Sequence, residues 1–354
     1  MLNAGFVRLW VHGAKLLEPR RSDVTELPAH DILVATGQRP VAQRGPDDTM
    51  TSRPSDCLLV LHQDAASTGA MVSVSLHLER WSRPERVPDT GMSCAVSAAM
   101  FRRGLHCFHQ GAGHSGGLYH NSWEAGAWAG SRQVPGTGMS ESPAAVVFRD
   151  RLYVFHQGWG GSGTLYVNTF DGAGWSGDRH VPGSTLSNSP SAVVFGHKLH
   201  VFYQGAGRDG HLRFNVFDGA SWAGEASIPH TGCSESPSAA VFDGCLHVFH
   251  QGFDRSGELY VNQHDGLEWR GDRRLRAPAI AASPAAAVCN DALHCVYQVK
   301  GRAGQLCHDS FDGRGWSGSH EVPGITISGS PAAVAVTGVA LSRPCQAAQA
   351  TAPA

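Results

Sequence analysis

The chain has 354 residues, with 28 Lys and Arg against 30 Asp and Glu, for a net charge of −2. That balance excludes the basic footprint of a nucleic-acid binder and gives no attraction to an anionic membrane surface. Hydrophobic residues make up 42 %, enough for a packed core, and no apolar run reaches the ~20 residues of a membrane-spanning helix, so no membrane insertion is expected.

Residues 1–50 match nothing that follows and read as an N-terminal extension. Arg8 interrupts the apolar start, and no small-residue cleavage site follows, so no signal peptide is read. The expected compartment is the cytoplasm or the outcome of non-classical release. Met50 offers an alternative start. From residue 51 the chain repeats itself. Gln63, Gln110, Gln157, Gln204, Gln251 and Gln298 are each 47 residues apart, and so are Trp81, Trp128, Trp175, Trp222, Trp269 and Trp316. A Ser-Pro step recurs at Pro143, Pro190, Pro237, Pro284 and Pro331.

The third unit shows the elements in order. Four short runs, SPAAVVF (142–148), LYVFHQ (152–157), TLYVNTF (164–170) and WSGDRHV (175–181), are rich in β-branched and aromatic residues and separated by Gly, Asp, Asn and Pro. Asp-Gly at 171–172 is the chemistry of a tight hairpin. Four strands in a period of 47 predict an all-β six-bladed β-propeller of four-stranded antiparallel blades, one per repeat. The Ala-rich run should be innermost, where small side chains fit a crowded axis. The first unit lacks that run, and a surplus copy, SPAAVAV, stands at 330–336. It is expected to join the first blade and close the ring. The propeller should therefore span 51–338, with 339–354 a flexible tail.

The stretch DGAGWSGDRHVPGSTLSNSPSAVVFGHKLHVFYQG (171–205) resembles the repeat of bacterial propeller lectins of the Photorhabdus lectin type. More distantly, it is similar to the six-bladed fucose-binding lectins of fungi and bacteria. The resemblance implies a lectin with several equivalent sugar sites between adjacent blades, acting by avidity on fucose or related terminal sugars. It implies glycans or glycoconjugates as partners, no cofactor and no enzymatic activity, and is compatible with an oligomer. Asp178, Ser131, Glu225, Asp272 and Ser319 stand where the lectin repeat has its second Trp, and Val-Pro-Gly (181–183) replaces Leu-Gly-Gly. The Arg and Glu pair used by fucose lectins is not placed on this repeat.

Loops 157–163 and links such as 181–190 should share one face and offer Gly backbone groups and neutral polar side chains to a saccharide. The candidate binding residues are Gln110, Gln157, Gln204, Gln251 and Gln298; the ring-bearing position His109, His156, Tyr203 and His250; Trp128, Trp175, Trp222, Trp269 and Trp316; Trp159; and Glu141, Asn188 and Glu235. Each has a competing structural role: blade packing for the recurrent Trp, backbone satisfaction for the Gln, and a solvated loop charge for the Glu. Asn121, Asn168, Asn215 and Asn262 read as internal hydrogen bonders, and Asp171, Asp218, Asp265 and Asp312 as turn formers. A metal at the His position is excluded, because Tyr203 and Tyr297 replace it in two units. Two other functions stay open: a propeller platform for protein partners, and a diverged sialidase-like glycoside hydrolase. The charged constellation of the latter is not found.

Overall fold

The computed structural model describes residues 56–301 and 304–337; the expected extension (1–50) and tail (339–354) lie outside them. Among the described residues the regular structure is strand and single-turn 3₁₀ segments, and no helix is long and apolar enough to cross a membrane.

The third blade shows how the sequence makes the unit. Met139–Phe148 pairs antiparallel with Arg151–Gly158, which pairs with Thr164–Phe170, which pairs with Arg179–Thr185. The first hairpin turns at Arg149 and Asp150, both with positive φ. The third turns at Asp171, whose Oδ1 accepts the N–H groups of Ala173 and Gly174 at 2.9 Å each. Asp218 and Asp312 form the same turn, the role the sequence assigns them. The fourth strand is weaker than WSGDRHV suggests. Trp175 makes only an isolated bridge to Phe170, because Ser176 Oγ accepts the Thr169 N–H at 3.0 Å in place of a backbone carbonyl. In the fourth and fifth blades the outer strand is reduced to Ala226–Ser227 and Arg273–Arg274.

Both faces of each blade are covered, so the second strands are apolar on both sides. Six hydrophobic clusters form, one per seam. Phe155 and Leu165 of the third blade meet Leu199 and Val201 of the fourth. Val296 and Leu306 of the sixth meet Leu58 and Val60 of the first. The recurrent Trp seals these seams: Trp175, Trp222, Trp269 and Trp316 stand edge-on to Phe108, Phe155, Phe202 and Phe249 of the preceding blade at 5.8–6.1 Å.

Closure follows the surplus strand. His320–Val336 is one 17-residue strand. It pairs through His320 and Glu321 with the sixth blade and through Ala332–Val336 with Cys57–Leu61 of the first. At the axis the Ala-rich strands line a cavity of about 220 Å³. There the Ser142, Ser189, Ser236 and Ser283 N–H groups each donate to the hydroxyl of the serine 47 residues on, at 2.8–3.1 Å. Ala95 takes the serine's place in the second blade.

A chain ended at Gly329 is expected to lose its single sharp thermal transition and bind a hydrophobic dye, because Leu58 and Val60 lose their cover. An unchanged melt followed by circular dichroism would show that the shared strand is dispensable.

Candidate functional site

The recurrent Gln belongs to the blade wall. Gln110, Gln157, Gln204 and Gln251 are only 2–3 % exposed. In every unit the Nε2 donates to the carbonyl 29 residues on, at 2.7–3.2 Å: Met92, Met139, Leu186, Cys233, Ile280 and Ile327 for Gln63 through Gln298. These carbonyls lie in the links between blades. The amide therefore pins each link to the second strand and satisfies an otherwise orphaned acceptor.

The ring-bearing position is equally internal. His109, His156, Tyr203 and His250 are buried. Their polar tips reach Ser131 Oγ (2.8 Å), Asp178 Oδ1 (3.1 Å), Glu225 Oε2 (3.1 Å) and Asp272 Oδ1 (3.1 Å), each 22 residues on. Burial pushes His109 down and the Tyr203 phenol up, each favouring the neutral form. Trp128, Trp175, Trp222, Trp269 and Trp316 are half-buried in the seams on the hairpin-bearing side. Asn188 is buried and donates to Gln204 Oε1 at 2.6 Å, Glu235 pairs with Arg255 at 3.3 Å, and Glu141 is exposed. Asn168 and Asn262 donate to Asp178 and Asp272, the internal bonding expected of them. Cys57, Cys94, Cys107, Cys233, Cys245, Cys289 and Cys295 are free thiols, and among the described residues no group of three metal-ligating side chains occurs.

Of the sequence candidates, Trp159 stands out to solvent, 58 % exposed. It opens the 3₁₀ turn Trp159–Gly161, and its ring covers Gly116 of the neighbouring blade, where a Cβ would overlap the indole. Gly116, at φ +75, thus serves both the turn and the close approach. Phe253, 61 % exposed, repeats the arrangement over Gly210 two blades on. Ala65, Ala112, Ala206 and Lys300 hold this position elsewhere.

Between those two plates lies a feature the repeat reading missed. Arg213 forms ion pairs with both Asp209 and Glu225. Glu225 also accepts the Tyr203 hydroxyl and, across the seam, the Thr185 N–H. The guanidinium is held above its ordinary value, first by Asp209 and then by Glu225. Its signal lies in a comparison of the units: Arg213 stands where Tyr119, Tyr166 and Tyr260 stand, and Glu225 where Asp178 and Asp272 stand. Three consecutive seams thus carry an indole, a guanidinium–carboxylate pair and a phenyl ring on one face. Together they offer apolar plates beside charge-assisted donors and acceptors, the mixture that holds a hydroxylated ring.

No known protein family and no curated protein sequence matches the chain. Solved structures do. It is similar to a point mutant of the Aleuria aurantia lectin AAL in complex with Fucα1-6GlcNAc, at 18 % identity and TM-score 0.58, over 75 % of this chain and 92 % of that one. It is similar to a triple Arg-to-Ala mutant of AofleA from Arthrobotrys oligospora, at 17 % identity and TM-score 0.57, over 77 % and 84 %. A further AAL structure, at 18 % identity and TM-score 0.56 over 74 % and 90 %, is described as a six-bladed β-propeller with a novel fucose recognition mode. The fold is therefore a six-bladed β-propeller.

Gln157→Ala is expected to lower stability by ~1–3 kcal/mol, because the Leu186 carbonyl loses its buried donor; a urea midpoint equal to wild type would refute that role. Stability should also fall in acid. Burial, with help from neighbouring His, pushes His120 and His308 down to about 4 from 6.5, and burial pushes His200 to the same level. The unfolded chain protonates these rings near pH 6.5 and the fold only near 4. Stability is therefore full above about pH 6.5 and drains away as pH falls towards 4. Thermal melts between pH 7.5 and 4.5 test this, and a level Tm would contradict it.

Proposed function

We propose that this protein is a multivalent carbohydrate-binding lectin whose sugar sites lie in the seams of its loop-bearing face, with terminal fucose as the first ligand to test. The observation that carries the reading is the Arg213–Glu225 pair at the third seam. It supplies the Arg and Glu chemistry that the resemblance to fucose lectins implies. The fucoside complex of a structure sharing the fold supports the same ligand class. Trp159 and Phe253 supply apolar plates at the flanking seams, and among the described residues the loop-bearing face shows neither such a plate nor such a pair at the other seams. We propose three chemically unequal sites on this face, where the resemblance implies several equivalent ones. Weak sites on a rigid ring gain ~10²–10⁴-fold on a multivalent surface, which suits a lectin and gives nothing to an enzyme with one reacting centre.

A glycan array probed with wild type, Arg213→Ala, Trp159→Ala and Phe253→Ala tests the proposal. Wild type should bind one group of terminal sugars. Arg213→Ala should lose most of that signal, and each aromatic variant should lose part of it at unchanged Tm. A blank array for wild type would remove the lectin reading. Binding indifferent to all three substitutions would move the sites off this face.

A further inference from the structure

The seam between the first and second blades is built differently from the others. Elsewhere a ring or branched side chain on the third strand fills the space against the next blade's Trp. His120 lies 5.8 Å from Trp175, Phe214 5.8 Å from Trp269, and His308 5.5 Å from Trp81; Val167 and Val261 hold the same position. In the first blade it is Ser73. The short side chain leaves volume, and a cavity of about 150 Å³ opens beside Trp123 and Trp128. Leu59, Ser75, Ser82, Glu85 and Arg86 complete its wall. That is the scale of one sugar ring and too small for a peptide segment.

The second difference is Trp123 itself. Phe170, Phe217 and Phe311 occupy the equivalent position in three other blades. The indole Nε1 is buried without a partner among the described residues, so replacing phenyl by indole gains no hydrogen bond within the fold. The two indoles stand edge to face, 5.5 Å between centroids, as a composite apolar wall. Facing them are three serines, of which Ser73 donates to the Glu85 carbonyl at 3.3 Å and Ser82 to the Arg83 carbonyl at 2.9 Å. The exposed Glu85 and Arg86 bring one charge of each sign to the cavity wall and form no ion pair among the described residues.

We propose that this cavity is a second kind of carbohydrate site, taking a single neutral pyranose. The indoles offer the hydrophobic plate for one face of the ring. The serine hydroxyls, the Glu85 carboxylate and the Arg86 guanidinium offer donors and acceptors to its hydroxyls. Opposite charges at the wall favour a neutral ligand over an anion or a cation. The cavity shares no residue with the Trp159, Arg213 and Phe253 seams. Ser73 lies on the opposite side of its strand from Val72, the counterpart of Arg213, so this site stands or falls apart from the function proposed above.

The test is an NMR titration of the full chain, following the Trp indole N–H signals. Methyl α-L-fucoside, methyl β-D-galactoside and methyl α-D-mannoside serve as probes, and Trp123→Phe and Trp128→Phe assign the two signals. At least one sugar should shift both signals saturably. Ser73→Val installs the residue that the third and fifth blades carry at this position, and it should weaken that titration at least about tenfold at wild-type Tm. Glu85→Gln should weaken it without filling the cavity, and Arg213→Ala should leave it unchanged. Trp123 and Trp128 signals that stay still with all three sugars overturn the proposal, as does a titration indifferent to both Ser73→Val and Glu85→Gln. A moving Trp159 signal beside still Trp123 and Trp128 signals removes this site and keeps the loop-face one.

Discussion

A β-propeller is a ring of sheets, and a ring tolerates no bare edge. Each blade must cover the flank of the next, and the last must cover the first, or one seam is left open to water and to pairing with other chains. The strand His320–Val336 meets that constraint by serving two blades, ending one and beginning the other. Everything else described here is held by the resulting ring: the clusters at the seams, the serine circle at the axis and the glutamine pins on the links. The pins share one geometry because each link must cross the same gap at the same angle.

The architecture was legible because the period is unbroken. The surplus SPAAVAV copy even specified how the ring closes, since a strand without a first-blade partner has one place to go. The site was harder to read, for a physical reason. Residues repeated in every unit are those every blade needs, and every blade first needs to pack. Gln157 and His156 recur because a buried link carbonyl and a buried carboxylate or hydroxyl recur beside them. Strand alternation could not reveal this, because a blade is covered on both faces and outward-pointing positions look no different from inward ones. Trp159 was legible as an aromatic at a position where three units carry Ala. Arg213 and Glu225 were hidden by appearing in a single unit, where a Tyr and an Asp were replaced together.

Repetition therefore separates the scaffold from the distinctive surface chemistry. The invariant positions hold the wall, and the surface chemistry lies in departures from the repeat: Trp159 and Phe253 for Ala, Arg213 for Tyr, Ser73 for a ring or branched side chain. Each departure is local, because neighbouring blades supply rigidity and absorb little strain. The same logic accounts for the buried histidines. His120 and His308 replace the Val and Phe of other blades without breaking the seam, because each is hydrogen-bonded to a second histidine, His106 at 2.9 Å and His294 at 2.8 Å.

The shared strand also sets where the chain can be cut and rejoined. Cys57 and Val336 are direct register partners, so the two ends of the described ring lie one strand spacing apart. A short bridge there would turn the backbone into a covalent circle, and the order of blades along the polypeptide would become a matter of choice. The ring could then be reopened at any exposed hairpin, such as 149–150 or 243–244, with each seam keeping its neighbours. For this fold, the cyclic order of the blades carries the structural information, and the point at which translation enters the circle carries none.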